Sequence, residues 1–325
     1  MRNANDVRLL NPARDLGQLA DLIENAFGEE LTHGGERVLR ELRVLSWLGP
    51  LNILFTGVSS ETDGIFTGFV WEHNGRVVGN VTINRPTGHP RRWQISNVAV
   101  QDAYRGQGIG RKLVEAAIDL VSRRGGYTAY LFVRDTNSLA QRLYQSLGFA
   151  EVDRITDLTL PLQPTSPEVS ALRVLRPLRP EERETLYELV LGAAGPGHRW
   201  LSAIRRRHYV HSADERFFRW IGSLVTAERE TLWGVSDGNR LDAGVSLRVT
   251  HLWNRKPHCI RLWIHPERRG QVEDGLVHDV ITLLSRASPR PTSVSLPACE
   301  EQAIDALLRQ SFRKIRTLIL MKLDL

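Results

Sequence analysis

The chain has 325 residues, 42% hydrophobic and 25% charged, a globular make-up with length for about two domains at roughly 150 residues each. No apolar run reaches the roughly 18 to 20 residues of a membrane helix, the first residues carry no secretory pattern, and two cysteines, Cys259 and Cys299, are too few for a disulfide framework or a four-ligand zinc site. A cytoplasmic setting, half-buried thiols and no metal are therefore expected. Of 43 basic residues only four are lysine, and the net charge of +6 is small for this length, so nucleic acid is not expected as a partner. The dense run Arg205-Arg206-Arg207-His208 reads as the solvated face of a helix.

In chain order, Val7–Leu10 reads as a short strand. Asp15–Phe27 reads as an amphipathic helix, with Leu16, Leu19, Ile23 and Ala26 at spacings of three and four, and His33–Leu48 as a second helix. Phe69–Glu72 and Val77–Ile83 form a hairpin around Asn74-Gly75, the second strand alternating one face in and one face out. Trp93–Val100 is a strand. Gly108–Arg123 is a helix with Ile109, Leu113, Ala116, Ala117 and Leu120 on one stripe. Thr128–Val133, almost continuously apolar, is a buried strand. Ser138–Leu147 is a helix with Leu139, Leu143 and Leu147 at spacing four, stopped by Gly148, and two short strands run on to Leu160.

This order then recurs. Val7–Pro12 resembles Leu172–Pro177, Asn74-Gly75 matches Asp237-Gly238, Arg105-Gly106-Gln107 matches Arg269-Gly270-Gln271, and Ala140–Phe149 resembles Ala303–Phe312, all at offsets of 163 to 165. Colinear matches at one spacing indicate two copies of one fold. Between them Pro161, Pro164 and Pro167 make a short stiff linker, so domains 1–162 and 168–325 are expected.

Chemistry concentrates where the strand ending at Val100 meets the helix beginning near Ile109. Gly106, Gly108 and Gly110 alternate with other residues, flanked by Arg105 and Arg111. A helix start offers unpaired N–H groups and partial positive charge, and glycine lets a ligand approach the backbone, which together make an anion cradle. The spacing lacks the Gly-x-Gly-x-x-Gly of dinucleotide sites and the Gly-Lys-Ser/Thr of nucleotide-triphosphate loops.

The pattern Arg105-x-x-Gly108-x-Gly110 resembles the diphosphate-binding motif of the GNAT acetyltransferase superfamily. A second family pattern follows at Asn137-x-x-Ala140-x-x-Leu143-Tyr144-x-x-x-Gly148-Phe149. The resemblance implies an α/β (α+β) fold of two tandem GNAT-like domains, each a mixed, mostly antiparallel sheet flanked by helices. It implies acetyl-CoA as donor and an amine as acceptor, a small molecule first, a protein N-terminus or lysine as the alternative. A non-catalytic CoA-sensing protein is the alternative of another class. Carried over residue by residue, Val98 and Val100 would bond the acetyl and pantetheine arm through their backbones. Arg105, Gly106, Gln107, Gly108, Ile109, Gly110 and Arg111 would hold the diphosphate. Asn137 would contact the pantetheine, and Tyr144 would protonate the departing thiolate as general acid. Where family members carry a glutamate base this chain has Gln94 and Phe132, leaving water, Glu72, His73 or Glu29-Glu30 to take the amine proton.

The second copy reads as degenerate. Val272 stands for Gly108, Asp274 for Gly110 and Leu307 for Tyr144, and Glu267, Glu273 and Asp274 oppose a diphosphate. Its aromatic set, Trp200, Tyr209, Phe217, Phe218 and Trp220, reads as packing, with an acceptor pocket as the alternative. His198, His208 and His211 lack a carboxylate or thiol at ligand spacing.

Overall fold

In the computed structural model the described residues are 5–27, 43, 67–86, 89, 91–162, 171–201, 206, 209, 228–237, 240–250 and 256–325. They belong to two units, Met1–Glu151 with Met321–Leu325, and Val152–Leu320. The expected helix His33–Leu48, the pair Glu29-Glu30, the run 163–170 and the aromatics Phe217, Phe218 and Trp220 lie outside the described residues, apart from Arg43.

The first unit is built on strands β1 (Asn5–Leu9), β2 (Gly68–His73), β3 (Arg76–Asn84), β4 (Arg92–Val100) and β5 (Thr128–Arg134), neighbours in that order. All pairings are antiparallel except β4 with β5. Helix α1 (Pro12–Phe27) buries Leu16, Leu19, Leu22 and Ile23 against Val70, Val77 and Ala99. Burying a leucine-sized side chain is worth about 1.5–3 kcal/mol, so this face fixes α1 to the sheet. Helix α2 (Ile109–Arg123) covers the other face through Ile109, Leu113, Val114, Ala117 and Val121. Val114 and Val121 thus replace the expected Ala116 and Leu120, because side chains lean toward the helix N-terminus and shift the covered face. With helices contacting both faces, β3 is buried nearly throughout rather than alternating, and its Asn80 and Thr82 lie inside.

Helix α3 (Ser138–Ser146) corrects a second expectation. Its only buried residue is Tyr144, whereas Leu139 is 74% exposed. Tyr144 packs edge-on against Phe149, just beyond the helix end, with ring centroids 5.9 Å apart. The chain then forms one strand, β6 (Ala150–Leu160), where two short ones are expected.

The second unit repeats the plan. It contains β7 (Arg176–Pro177), α4 (Arg183–Ala193), α5 (Pro196–Leu201), β8 (Glu228–Asp237), β9 (Arg240–Thr250), β10 (His258–Ile264), α6 (Glu273–Ser285), β11 (Thr292–Pro297), α7 (Glu301–Arg309) and β12 (Arg313–Asp324). Its sheet order is β12-β6-β11-β10-β9-β8-β7. Strand β6 pairs antiparallel with β11 from Leu160↔Thr292 to Ile155↔Pro297, and Arg316 on β12 donates to Asp157 on β6 at 2.8 Å. Strand β12 is divided, since Met321–Leu325 belong to the first unit. There Leu325 N–H donates to the Tyr127 carbonyl at 2.9 Å and Thr128 Oγ1 bonds Asp324 Oδ1 at 3.1 Å. Packing thus divides the chain at 151/152, while the proline linker follows covalent order at 161–168. From Val152 on, β6 belongs to the second unit, and the end of β12, Met321–Leu325, belongs to the first, a placement that local sequence does not encode.

Candidate functional site

Strands β4 and β5 pair only over Arg92–Gln94 with Thr128–Tyr130, then part. Beyond that apex β4 carries a bulge. Its register with β3 shifts between Asn80 and Thr82, and Asn97 takes a left-handed φ of 50°. The buried Asn80 amide holds the bulge, donating to the Asn97 carbonyl at 3.0 Å and to Thr82 Oγ1 at 3.3 Å. Bulges bend a strand and aim its groups elsewhere, here beside the opening between two parallel strands.

Val98 and Val100 lie on this departing stretch. After Val100 comes a short 3-10 turn, Asp102–Tyr104, then the glycines. Gly106 and Gly108 have φ of 76° and 77°, where an L side chain is strained, and a Cβ on either would meet nothing within 4 Å. The space above both is open. Gly108 is the N-cap of α2 with no side-chain cap, so the N–H groups of Ile109, Gly110 and Arg111 have no helical partner and share the positive end of the dipole. Gly110 lies below, where a Cβ would come 3.7 Å from Leu143 and 3.9 Å from Val100, bringing β4, α2 and α3 together.

The flanking side chains are held locally. Arg105 pairs with Asp102 at 2.8 Å and donates through Nε to the Val100 carbonyl at 3.2 Å. Gln107 donates to the Ala103 carbonyl at 3.4 Å. Arg111 pairs with Glu115 at 3.5 Å and bonds Ser146 on α3. Asn137 caps α3, its Oδ1 accepting the Ala140 N–H at 3.0 Å. Tyr144 is 6% exposed, and loss of hydration pushes its phenol up to about 12. Its hydroxyl has no hydrogen-bond partner among the described residues. A phenol in that state stays protonated at neutral pH and is a donor waiting for an acceptor.

The carboxylate Glu72 is tied up elsewhere. Arg8 donates to it at 2.6 Å and Arg14 also pairs with it, and the hydrogen bond from Arg8 holds its pKa below the usual range. Such a group is a poor base. His73 leans on Tyr104 with centroids 5.0 Å apart and contacts Asn74 at 3.2 Å.

The same locus in the second unit is filled from within. Gly270 keeps a φ of 80°, matching Gly106, but Val272 caps α6 with φ −109°. Glu273, at the place of Ile109 and 4% exposed, turns its carboxylate back onto the N–H groups of Gly270 at 2.8 Å and Val272 at 3.1 Å. Arg269, matching Arg105, binds Glu300, which stands at the Asn137 position and is 7% exposed. Burial raises the Glu300 pKa despite Arg269. The sequence flagged Glu273 as a repelling charge. Its role as the cradle's own occupant follows from the 164-residue offset together with the helix-start position.

Elsewhere in this unit Arg206 donates to Glu184 at 2.8–2.9 Å, and Tyr209 packs between Tyr187 and Trp263. Arg205, Arg207, His208, His211 and the His198 side chain lie outside the described residues. Of the cysteines, Cys259 is half-buried but Cys299 is exposed, against expectation.

Residues 30–149 match the family model described as acetyltransferase (GNAT) family. Among curated relatives, the chain is 49% identical over 55 residues to the [ribosomal protein bS18]-alanine N-acetyltransferase of Escherichia coli K12, covering 17% of this chain and 37% of that protein. It is 32% identical over 130 residues to the mycothiol acetyltransferase of Renibacterium salmoninarum, covering 39% and 35%. The chain thus spans little more than a third of these relatives' lengths. Among solved structures, a GCN5-related N-acetyltransferase from Sphaerobacter thermophilus aligns over 98% of this chain and 95% of its own, at TM-score 0.63 and 18% identity. A tandem GNAT protein from the clavulanic acid biosynthesis pathway aligns over 98% of both chains, at TM-score 0.54 and 16% identity. The fold is that of paired GNAT domains, and the match to the acetyltransferase (GNAT) family lies in residues 30–149.

Proposed function

We propose that the first unit transfers an acetyl group from acetyl-CoA to a primary amine, and that the second unit holds no donor. The observation that carries this reading is the contrast between two equivalent turns. One is open above Gly106 and Gly108 with the α2 N–H groups unspent, and the other is closed by Glu273. An open helix start suits a diphosphate, and each charge-assisted bond there is worth about 1.5–3 kcal/mol. The donor would supply an activated acetyl thioester.

In the proposed mechanism the chain's own groups do the following. The N–H groups from Gly106 to Arg111 bind the diphosphate. The length of β4 around Val98 and Val100, paired with β3 but free of β5, orients the acetyl arm in the gap beside β5, and a main-chain N–H there faces the oxygen on which charge develops. Asn137 contacts the pantetheine. Holding donor and amine together accounts for much of the acceleration. Tyr144 acts at the sulfur. With its phenol near 12 and a free thiol near about 8.5, complete proton transfer is uphill. The phenol therefore donates a hydrogen bond as negative charge grows, and the proton lost by the amine restores neutrality. No carboxylate stands at Gln94 or Phe132, and Glu72 is held by Arg8, so water would carry the amine proton to the departing sulfur, which leaves as the neutral thiol.

The acceptor is proposed to be a small-molecule amine. A protein's N-terminal amine is the second reading, favoured by the local identity to the bS18-alanine enzyme. A thiol-release assay with acetyl-CoA decides. Turnover with amino sugars or diamines supports the first, and turnover with alanine-initiated peptides the second. Binding of acetyl-CoA with no thiol release on any amine overturns catalysis and leaves a CoA-sensing protein.

A further inference from the structure

Four arginines from two separate stretches of the sequence meet at the end of the first unit opposite the glycine turn. Arg85 follows β3, Arg91 precedes β4, and Arg123 and Arg124 end α2. Helix α2, 15 residues long, sets them roughly 22 Å from the cradle at about 1.5 Å per residue. The loop contacts bring them close, since the Arg91 carbonyl accepts the N–H groups of Tyr127 at 2.8 Å and Thr128 at 3.3 Å.

None of these four guanidinium groups has a carboxylate partner among the described residues, and all four residues are exposed. Elsewhere in the unit Arg8, Arg14, Arg43, Arg105 and Arg111 are paired with acids. Three of the four lie on aromatic rings instead. Arg91 lies 4.5 Å from the Tyr127 centroid, and Arg85 and Arg124 lie 5.7 and 5.9 Å from that of Trp93. Arg123 donates only to the Asp119 main-chain carbonyl. Tyr127 itself is 58% exposed.

We propose that this end of the first unit is a docking surface for single-stranded nucleic acid. Uncompensated arginines gather phosphates, and an exposed ring backed by a guanidinium offers a base a place to stack. The exposed Tyr127 ring, open to stacking by a base, favours a nucleic acid over a partner held by charge alone. This surface is independent of the acetyl-transfer reading. It was hidden in the sequence because its two arginine pairs lie about 30 residues apart there, while the longest arginine run, Arg205–Arg207, lies elsewhere.

The test is fluorescence anisotropy of the full chain with a labelled oligouridylate about a dozen nucleotides long, across a salt series. Binding should weaken with salt at a log–log slope near about −3, about −0.7 for each of four phosphates. The pair Arg91→Gln and Arg124→Gln should lower affinity at least about tenfold and flatten the slope by about 1.4. Tyr127→Ala should weaken oligouridylate binding while leaving poly-glutamate binding unchanged. The stabilisation by acetyl-CoA should persist in every variant, which shows that the fold is intact. Absent binding at low salt, binding indifferent to these substitutions, or equal binding of poly-glutamate or phosphatidylserine vesicles would each overturn the proposal.

Discussion

The Glu273 carboxylate accepts the N–H of Gly270 at 2.8 Å, in the very place that stays open beside Gly106 in the other copy. Two backbones with the same positive φ at their first glycine thus differ by which group satisfies their donors. Donor binding should follow that difference. Acetyl-CoA at about 100 times its Kd should stabilise the chain by roughly 2.7 kcal/mol. Gly108→Val, which forces a branched side chain onto a φ of 77°, should abolish that shift in a melting experiment. Glu273→Gln should leave it intact. Calorimetry should count one site per chain, and two would refute the assignment of the second unit.

Tyr144→Phe separates binding from catalysis. The ring packing on Phe149 survives, so the fold and the acetyl-CoA melting shift should be kept. Loss of the donor should lower kcat by roughly a hundredfold or more, with little change in KM. Unchanged turnover would remove Tyr144 from the mechanism.

The pH profile carries the sign of the Tyr144 shift. Its folded-state pKa, near 12, lies above that of a free phenol, so the proton is held until strongly alkaline pH. The acceptor amine must lose its proton to attack. kcat/KM should therefore climb with pH toward the amine's own pKa and show no fall below about pH 10. The accompanying stability is complete below pH 10 and drains away between about 10 and 12, since the unfolded phenol ionises first. A falling limb centred near pH 8 to 9 in Tyr144 enzyme that persists in the Phe variant would point to a different titrating group.

How far these features were readable follows from how local they are. The glycine turn is a strand end, three spaced glycines and a helix start, all within a dozen residues, and the structure keeps that order. The buried face of α3 was not readable. Leu139, Leu143 and Leu147 have the periodicity of a stripe, yet Phe149, beyond the helix, selects Tyr144 for burial. Strand exchange was invisible for a stronger reason. A strand's pattern states which face is apolar, and β6 and β12 each offer a suitable edge to either copy.

That exchange has a consequence for fragments. We expect a fragment of residues 1–162 to lack the chain that bonds Tyr127 and Thr128 and that places Leu323 beside Gly148 at the end of α3. It should melt well below the full chain and respond weakly to acetyl-CoA. A 1–162 fragment as stable as the full chain would show that Met321–Leu325 are dispensable to the first unit.

Asp279 offers the sharpest stability test in the second unit. It is wholly buried on α6, and its two oxygens accept the N–H groups of Arg173, Val174 and Leu175 at 2.7–3.0 Å. A single carboxylate therefore pins the entry of the unit to its central helix. Removing it leaves three donors without their acceptor; those of the exposed Arg173 and Val174 can turn to water, while that of the buried Leu175 is left unsatisfied at about 1–3 kcal/mol. Asp279→Ala should thus cost about 1–3 kcal/mol in urea unfolding. Asp279→Asn keeps one acceptor oxygen but turns an NH2 toward the remaining donors, so it should recover only part. A cost under about 1 kcal/mol for the alanine variant would mean that the segment 173–175 finds other acceptors, and that this carboxylate does not fix it.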